Sequence, residues 1–312
     1  MTRRYVVLDV FTNRALAGNP LAVVLDADGL DTAAMQAIAR EFNLSETVFV
    51  LPAERPNHSA ALRIFTPAQE LPFAGHPTVG AAALLASERF GAVDRAIDAM
   101  VVMEEQVGVI RAGVRLDPVA VPYAEFDAPR LPREIAQTLP SKGSIADALG
   151  LDATEIGFEN HVPSVFDAGL PFTFVPVAGL DAMRRVRFDR AAWKAANGPG
   201  PARAVYVYCR ETQLHDSTFH ARMFDADFGI GEDPATGSAA VAFAGVITRF
   251  DAPTEGTHHD RVEQGFEMGR PSLIDLTVIV EAGALAGVRI GGSVVRVAQG
   301  TLFVEAPRAA AG

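Results

Sequence analysis

Hydrophobic and polar residues follow two patterns along the chain, one typical of strands and one typical of helices. After Asp31, a good helix cap, Met35, Ile38, Ala39 and Phe42 recur at helical spacing and predict an amphipathic helix packed on a sheet. Most other apolar runs are short and bounded by Gly, Pro or Asn, which predicts strands. The expected strands are 5–11, 21–25, 47–50, 61–65, 172–177, 204–209, 272–282 and 288–306, with a helix at 144–149 and a broken helix at 181–196.

Two further helices are predicted to be buried, because their residues are small and apolar on every side. The first begins at His76, has Pro77 in its first turn and continues through residues 81–86. The second follows the stretch 231–240 and continues to Ile247. The first N–H groups of a helix have no partner within it, so each start is a candidate site for a carboxylate or phosphate.

The same residue pattern introduces both buried helices. Arg-x-Phe at 63–65 leads to His76 and its Pro-x-x-Gly-x-Ala continuation, and Arg-x-Phe at 222–224 leads to Asp233 and the same continuation. The paired motifs lie 159 and 157 residues apart, so the two copies differ by a gap of only two residues. This spacing indicates an internal repeat of about half the chain.

The repeat predicts an α/β (α+β) fold with two pseudo-symmetric lobes, each a mostly antiparallel sheet or barrel wrapped around one buried central helix. The N-terminal lobe is expected at residues 1–117, completed by a C-terminal strand near 298–306, and the C-terminal lobe at 118–297. Binding sites for small ligands often lie at the interface between two lobes. If both helix starts face the cleft between the lobes, His76 and Asp233 lie on opposite sides of one bound anion.

Each candidate residue also has a plain structural explanation. Asp233, Thr236 or Ser238 can cap the second helix without any catalytic role, and His76 can be a hydrogen-bonded packing residue. A helix start disfavours the charged form of a nearby imidazole, so His76 is expected to be neutral. Glu46 is the only acid in the apolar passage around residues 47–50, although a single carboxylate is most often solvated or salt-bridged.

Composition narrows the choice of partner and compartment. The hydrophobic content of 49% with 21% charged residues is that of a folded globular chain, and a formal net charge of −11 argues against nucleic acid or an anionic membrane as partner. Asp9 interrupts the first apolar run, which speaks against a signal peptide, and the single cysteine, Cys209, fits a reducing compartment. We therefore expect a cytoplasmic protein with an unreactive, buried Cys209.

Cofactor and metal chemistry find no support in the motifs. The only lysines, Lys142 and Lys194, lie outside every motif, and the glycine-rich stretches lack the lysine of a P-loop and the third glycine of a dinucleotide fingerprint. The segment 258–260, His-His-Asp, is interpreted as a polar loop because its spacing does not suit a metal. The serine hydrolase motif Gly-x-Ser-x-Gly is also missing. Neither a cofactor nor a metal is expected.

Taken together, the motifs resemble those of the PhzF family of phenazine-biosynthesis isomerases, which share the diaminopimelate-epimerase fold. The matching segments cover nearly the whole chain: 9–12 with 18–20, 43–47, 65–67 with 75–78, 232–239, and 264–265 with 268–271. The resemblance implies that Glu46 is an acid/base moving a proton between two carbons, with His76 and Asp233 as partners in proton transfer. It places Gly75, Gly237 and Ser238 at the substrate.

The resemblance further implies a cofactor-independent isomerase acting on a small carboxylated metabolite like trans-2,3-dihydro-3-hydroxyanthranilate, commonly as a homodimer. The cysteine pair of the epimerases with this fold is absent, which leaves a single carboxylate as the proton carrier. Such a carboxylate needs a pKa raised by apolar neighbours or by a second acid such as Asp233. Two alternatives stay open: an epimerase or racemase of an amino-acid-like acid, and a non-catalytic protein that binds small anions.

Overall fold

A computed structural model describes residues 2–198, 200–202, 204–225 and 231–304. The protein is a mixed α/β chain rich in strands, and it forms two compact units. One unit comprises the described residues of 1–129 and 291–312, and the other comprises those of 130–290. Among the described residues, no helix combines the length and the apolar character that crossing a membrane would need.

The first unit begins with two strands, and its buried helix follows three more. Its elements are β1 (Thr2–Val10), β2 (Asn19–Val24), α1 (Thr32–Phe42), β3 (Glu46–Leu51), β4 (Ala60–Phe65), β5 (Glu70–Leu71), α2 (Gly75–Phe90), β6 (Ile97–Glu105), β7 (Gly108–Leu116) and β8 (Tyr123–Asp127).

The second unit contains the other buried helix and three shorter ones. Its elements are β9 (Arg133–Glu134), α3 (Lys142–Leu149), a 3-10 turn (Ala153–Glu155), β10 (Ser164–Asp167), β11 (Pro171–Pro176), α4 (Leu180–Arg185), α5 (Arg190–Asn197), β12 (Ala204–Cys209), β13 (Phe219–Phe224), β14 (Glu232–Asp233), α6 (Gly237–Phe250), β15 (Gly256–Gln264) and β16 (Ser272–Glu281). The long strand β17 (Ala284–Phe303) follows, and its residues 294–303 pair with β1.

Both units use the same order of strand pairings. In the first unit β2 lies antiparallel to β1 and parallel to β3, β4 lies antiparallel to β3 and β5, and β6 runs parallel to β4 and antiparallel to β7. In the second unit β11 lies antiparallel to β10 and parallel to β12, and β13 lies antiparallel to β12 and β14. Strand β15 runs parallel to β13 and antiparallel to β16. The repeat seen in the sequence is therefore also a repeat of strand pairing.

Small residues allow the two long helices to pack closely against strands. Helix α2 is buried from Gly75 to Leu84 and contacts β1, β2, β3, β6, β7 and β8. At Gly80 a Cβ atom would lie 2.6 Å from Leu21 Cδ2 and 2.9 Å from Val10 Cγ2, so the neighbouring side chains would have to shift to accept a larger residue. Helix α6 is buried from Ala239 to Ile247 in the same way. Both helices confirm the prediction of burial.

Most predicted elements are present, with ends that differ by a few residues. Asp31 caps α1 by accepting a hydrogen bond from Ala34 N, and Asn43 ends the helix in the left-handed conformation. The predicted broken helix is the pair α4 and α5, and the buried Trp193 of α5 packs into an apolar core. One interpretation was wrong: the His-His-Asp segment 258–260 is not a loop but part of β15, where Cα pairing with β16 fixes it.

Candidate active site

The structure brings Glu46 and His76 together within the first unit. Glu46 is the first residue of β3, which lies beside β2, and His76 is the second residue of α2. Their side chains approach with Glu46 Oε2 3.4 Å from His76 Nε2. This separation is long for a hydrogen bond, and such pairs often tighten only when substrate binds. The arrangement therefore pairs a potential proton carrier with an imidazole.

Burial keeps His76 uncharged. Only 5% of its side chain is exposed, compared with 15% for Glu46. Loss of solvation lowers the pKa of His76 to about 3, so the ring is neutral throughout the physiological range. A neutral imidazole agrees with the prediction from the sequence, but burial rather than the helix start is the cause. A neutral ring can donate a hydrogen bond without acting as a countercharge.

A bidentate ion pair in each unit supports the segment that leads into the buried helix. Arg63 binds Glu70 through Nε (2.7 Å) and Nη2 (2.6 Å), which joins β4 to β5 before α2 begins. Arg222 binds Glu232 in the same manner, at 2.7 and 2.8 Å, and joins β13 to β14 before α6 begins. A planar guanidinium group and a carboxylate group form two parallel hydrogen bonds. Each pair therefore fixes the distance between the two strands that it joins and the direction in which the chain enters the buried helix.

Asp233 belongs to a buried polar network at the start of α6. Its Oδ2 accepts a hydrogen bond of 2.5 Å from the Thr236 hydroxyl. Gln264, at the end of β15, donates through Nε2 to Asp233 O (2.8 Å) and Thr236 Oγ1 (3.0 Å), and accepts from Thr236 N (3.2 Å). Thr236 occupies the N-cap position, but its side chain makes no capping bond to the helix N–H groups.

The loop after Gln264 packs on the segment that precedes α6. Gly265 has φ of +76°, and a Cβ atom there would lie 2.6 Å from Pro234 O and 2.5 Å from Arg270 O. Arg270 N in turn donates to Gly265 O at 3.0 Å. Only glycine tolerates both the left-handed backbone and this close approach. The residues 265–271 thus form a tight turn held against the residues that introduce α6.

The remaining predicted site residues lie at the helix starts. Gly75 is the first residue of α2, Gly237 is the first residue of α6, and Ser238 follows as a half-buried residue of that first turn. Glu46, Gly75 and His76 thus belong to the first unit. Asp233, Gly237 and Ser238 belong to the second unit.

Two polar residues near these helix starts received no role from the sequence. Glu105 and Gln264 each end a strand, β6 and β15, and each contacts a threonine near the start of a buried helix, Thr78 and Thr236 respectively. The only signal in the sequence for either residue was the motif beginning at Gln264. Only the strand register in the structure shows that these two residues lie near the helix starts, because the threonines that they contact are far away along the chain.

Metal-ligating side chains do not form a built site in the described part of the chain. Within 2–198, 200–202, 204–225 and 231–304, no group of three or more His, Cys, Asp or Glu side chains is arranged to hold a metal ion. Cys209 is buried in β12, where desolvation, with a further contribution from Glu211, raises the pKa of its thiol to about 12. The predicted unreactive environment of this cysteine is therefore present.

Comparison with known proteins identifies relatives along the whole chain. The family model PhzC-PhzF, described as phenazine biosynthesis-like protein, matches residues 8–300. An uncharacterized isomerase of Mesorhizobium japonicum is 53% identical over 307 residues, covering 97% of this chain and 99% of the relative. The trans-2,3-dihydro-3-hydroxyanthranilate isomerase of Pseudomonas fluorescens is 33% identical over 305 residues, covering 96% and 99%. The crystal structure of a PhzF-family phenazine biosynthesis protein of Bacillus anthracis has a TM-score of 0.86 at 26% identity, covering 97% of this chain and 100% of the other.

Proposed function

We propose a proton-transfer mechanism for this chain, which belongs to the PhzC-PhzF family of phenazine biosynthesis-like proteins and is an isomerase. The reaction moves one proton between two carbon atoms of a small carboxylated substrate and shifts a double bond, without a cofactor. The observation that carries the proposal is the approach of Glu46 to a neutral, buried His76.

Glu46 is proposed to act first as a base and then as an acid. Its carboxylate removes a proton from one substrate carbon. The electron pair of the broken C–H bond forms a new double bond to the neighbouring carbon, and the π pair of the existing double bond shifts to the carbon that is protonated next. The protonated Glu46 then returns a proton to a second carbon, so that the product has the composition of the substrate. A carboxylate with restricted solvent access suits this work, and only 15% of the Glu46 side chain is exposed.

His76 is proposed to donate a hydrogen bond rather than a proton. Since the ring stays neutral, it can orient Glu46 or a substrate oxygen without competing for the transferred proton. The N–H groups at the start of α2, beginning with Gly75, would stabilise negative charge on the substrate. Removal of such donors typically slows an enzyme by a factor of about 100 to 1000.

The roles of Asp233, Gly237 and Ser238 in substrate binding and proton transfer belong to this proposal and rest on the repeat of the two helix starts in the sequence. The first compound to test is trans-2,3-dihydro-3-hydroxyanthranilate, which appears in the name of the Pseudomonas fluorescens relative. A homodimer is also proposed, and light scattering at several protein concentrations tests it independently of turnover.

Turnover in heavy water by the unaltered protein and by Glu46→Gln tests the mechanism. The unaltered protein should form product, with deuterium entering from solvent where the Glu46 proton exchanges. Glu46→Gln should still bind the compound but convert it at least about 100-fold more slowly, since acid–base groups contribute about 10²–10⁴ to the rate. Glu41→Gln, at an exposed carboxylate of α1, is the matched control and should keep full activity.

Three other results of these experiments would contradict the proposal. Full turnover by Glu46→Gln would refute the role of Glu46. Binding without any product or exchange in the unaltered protein would favour the anion-binding alternative. Exchange at the α-carbon of an amino-acid-like acid, with inversion of configuration, would favour an epimerase or racemase.

A further inference from the structure

Glu105 and Gln264 occupy equivalent positions in the two units. The parallel pairing of β4 with β6 sets Ala61 opposite Glu104, and the parallel pairing of β13 with β15 sets His220 opposite Glu263. Ala61 and His220 each stand two residues before the arginine of the repeated Arg-x-Phe motif. The next residues, Glu105 and Gln264, are therefore equivalent, and each is the last residue of its strand.

The neighbouring glutamates confirm this equivalence. Glu104 accepts hydrogen bonds from Glu54 N (2.7 Å) and Arg55 N (3.0 Å) and contacts His58 Nδ1 at 2.6 Å. Glu263 likewise accepts from two successive N–H groups, at 2.8 and 2.6 Å, and contacts a histidine Nδ1 at 2.7 Å. Two glutamates with matching partners thus mark the same position in both units. The residues that follow them, Glu105 and Gln264, differ only in that one side chain is a carboxylic acid and the other is its amide.

The hydrogen-bond geometry around Thr78 favours a proton on Glu105. Thr78 Oγ1 lies 2.8 Å from Ala74 O and 2.8 Å from Glu105 Oε1. A hydroxyl group has a single proton, and a carbonyl oxygen cannot donate one. If Thr78 donates to Ala74 O, Glu105 must donate to Thr78, because two unprotonated oxygens at this distance repel each other. Thr236 is used in the same way: it receives a bond from Gln264 Nε2 and donates to Asp233 Oδ2.

The surroundings of Glu105 also disfavour a charge. The residue is 8% exposed, and its Oε2 is buried without a hydrogen-bond partner. Within the described part of the chain Glu105 forms no ion pair, and the titratable groups on the neighbouring elements either contact other residues or are exposed. These groups are His76, Glu88 and Arg89 on α2, the Arg63–Glu70 pair on β4 and β5, the His58–Glu104 pair, and the exposed Arg111 and Arg115 of β7. Burial raises the pKa of Glu105 to about 8.

We propose that Glu105 is a neutral carboxylic acid in the folded protein and a positioning residue that fixes the first turn of α2. Its carboxyl group bonds to the Thr78 hydroxyl as the carboxamide of Gln264 bonds to the Thr236 hydroxyl at the start of α6. The first turn of α2 carries His76 as well as Thr78, so this bond holds the imidazole that faces Glu46. The catalytic consequence rests on the proposed function, whereas the protonation state of Glu105 does not.

Stability as a function of pH tests the protonation state. Because the pKa of Glu105 is raised from 4.5 to about 8 on folding, its contribution to stability is complete below about pH 4.5 and is lost progressively as the pH rises to about 8. The equilibrium constant for folding should therefore fall up to about tenfold per pH unit relative to that of Glu105→Gln across this window. Glu105→Gln should match the unaltered protein near pH 4.5 and exceed it at pH 8.

Two matched variants sharpen the comparison. Glu104→Gln, the same change one residue earlier, should lower stability at neutral pH, because this carboxylate accepts bonds as an anion. Gln264→Glu should introduce into the second unit the pH dependence that Glu105 gives the first. The infrared carbonyl band of a protonated carboxylic acid should be present at pH 7 in the unaltered protein and weaker in Glu105→Gln.

Activity then tests positioning. Glu105→Leu should lower kcat with little change in KM, Glu105→Gln should restore it, and only the unaltered protein should lose activity as Glu105 ionises above about pH 8. Parallel stability curves for the unaltered protein and Glu105→Gln, or an unchanged infrared band, would overturn the neutral acid. Equal activity of the Leu and Gln variants would overturn positioning. If no compound is converted, the proposed function fails while the stability and infrared results still decide the state of Glu105.

Discussion

Replacement of His220 by glutamine should destabilise the second unit strongly. Both ring nitrogens of His220 face carboxylates: Nδ1 lies 2.7 Å from Glu263 Oε2, and Nε2 lies 3.0 Å from Glu267 Oε1. Ionised carboxylates only accept hydrogen bonds, so both nitrogens must carry protons and the ring is a cation. His220 and Glu263 are fully buried, and 12% of the Glu267 side chain is exposed.

The magnitude follows from the loss of the cation between two buried acids. Glutamine can donate to only one of the two carboxylates, and it carries no charge. Removal of one partner from a buried ion pair costs about 3–5 kcal/mol, and we expect a loss in this range near pH 6. Burial alone would lower the pKa of His220, but its bonds to Glu263 and Glu267 outweigh burial and raise it. Burial alone would raise the pKa values of both carboxyls, but the bonds to His220, together with the N–H groups of Gln213 and Leu214 at Glu263, outweigh burial and lower them.

The sign of the pH dependence follows from these directions. The His220 contribution is complete below its ordinary pKa of 6.5 and is lost as the pH rises through the raised value. The carboxylate contributions are present above 4.5 and are lost as the pH falls through the lowered values. Urea unfolding should therefore show a larger difference between the unaltered protein and His220→Gln near pH 6 than near pH 9.

The exposed His215 provides the control, since His215→Gln should change stability by less than about 0.5 kcal/mol. A loss below about 1 kcal/mol for His220→Gln near pH 6, or an equal loss at both pH values, would refute a buried imidazolium at this position.

Two further predictions concern packing and cysteine chemistry. Gly80→Ala should lower the free energy of unfolding by about 1–2 kcal/mol in spite of the better helix propensity of alanine, because its Cβ would lie 2.6 Å from Leu21 Cδ2. Gly143→Ala in α3, where the nearest atom is 3.8 Å away, should instead gain up to about 1 kcal/mol, and chemical denaturation compares the two. Cys209 should react with a thiol reagent only at the rate of unfolding, because the pKa of its buried thiol is raised to about 12; rapid labelling of native protein would contradict this.

Local residue patterns were sufficient to predict the helices and many of the strands. Asp31 and Asn43 bound α1 because capping depends on residues a few positions apart. The burial of α2 and α6 followed from their small apolar residues, whereas the repeat predicted two similar units without the order of strand pairing within them. The His-His-Asp segment 258–260 was assigned wrongly. Its polar residues indicate a loop when taken alone, but pairing with β16 holds them in a strand.

The candidate site could be predicted only in part. The sequence pointed to Glu46, His76 and Asp233, but it could not show that Glu46 lies 3.4 Å from His76 or that burial keeps this histidine neutral. Gln264 and Glu105 had no predicted role, since their partners Thr236 and Thr78 are reached through parallel strand pairing and not through proximity along the chain.

The sequence by itself determined the residue types at both helix starts, the repeat that relates them and the family to which the chain belongs. Tertiary structure decided their electrostatic state. Glu104 accepts hydrogen bonds and Glu105 is the proposed neutral acid, a difference that depends on solvent access and partners although the two residues are neighbours in the chain. The physical reason is that desolvation and hydrogen bonding set a pKa, and both depend on contacts between distant segments.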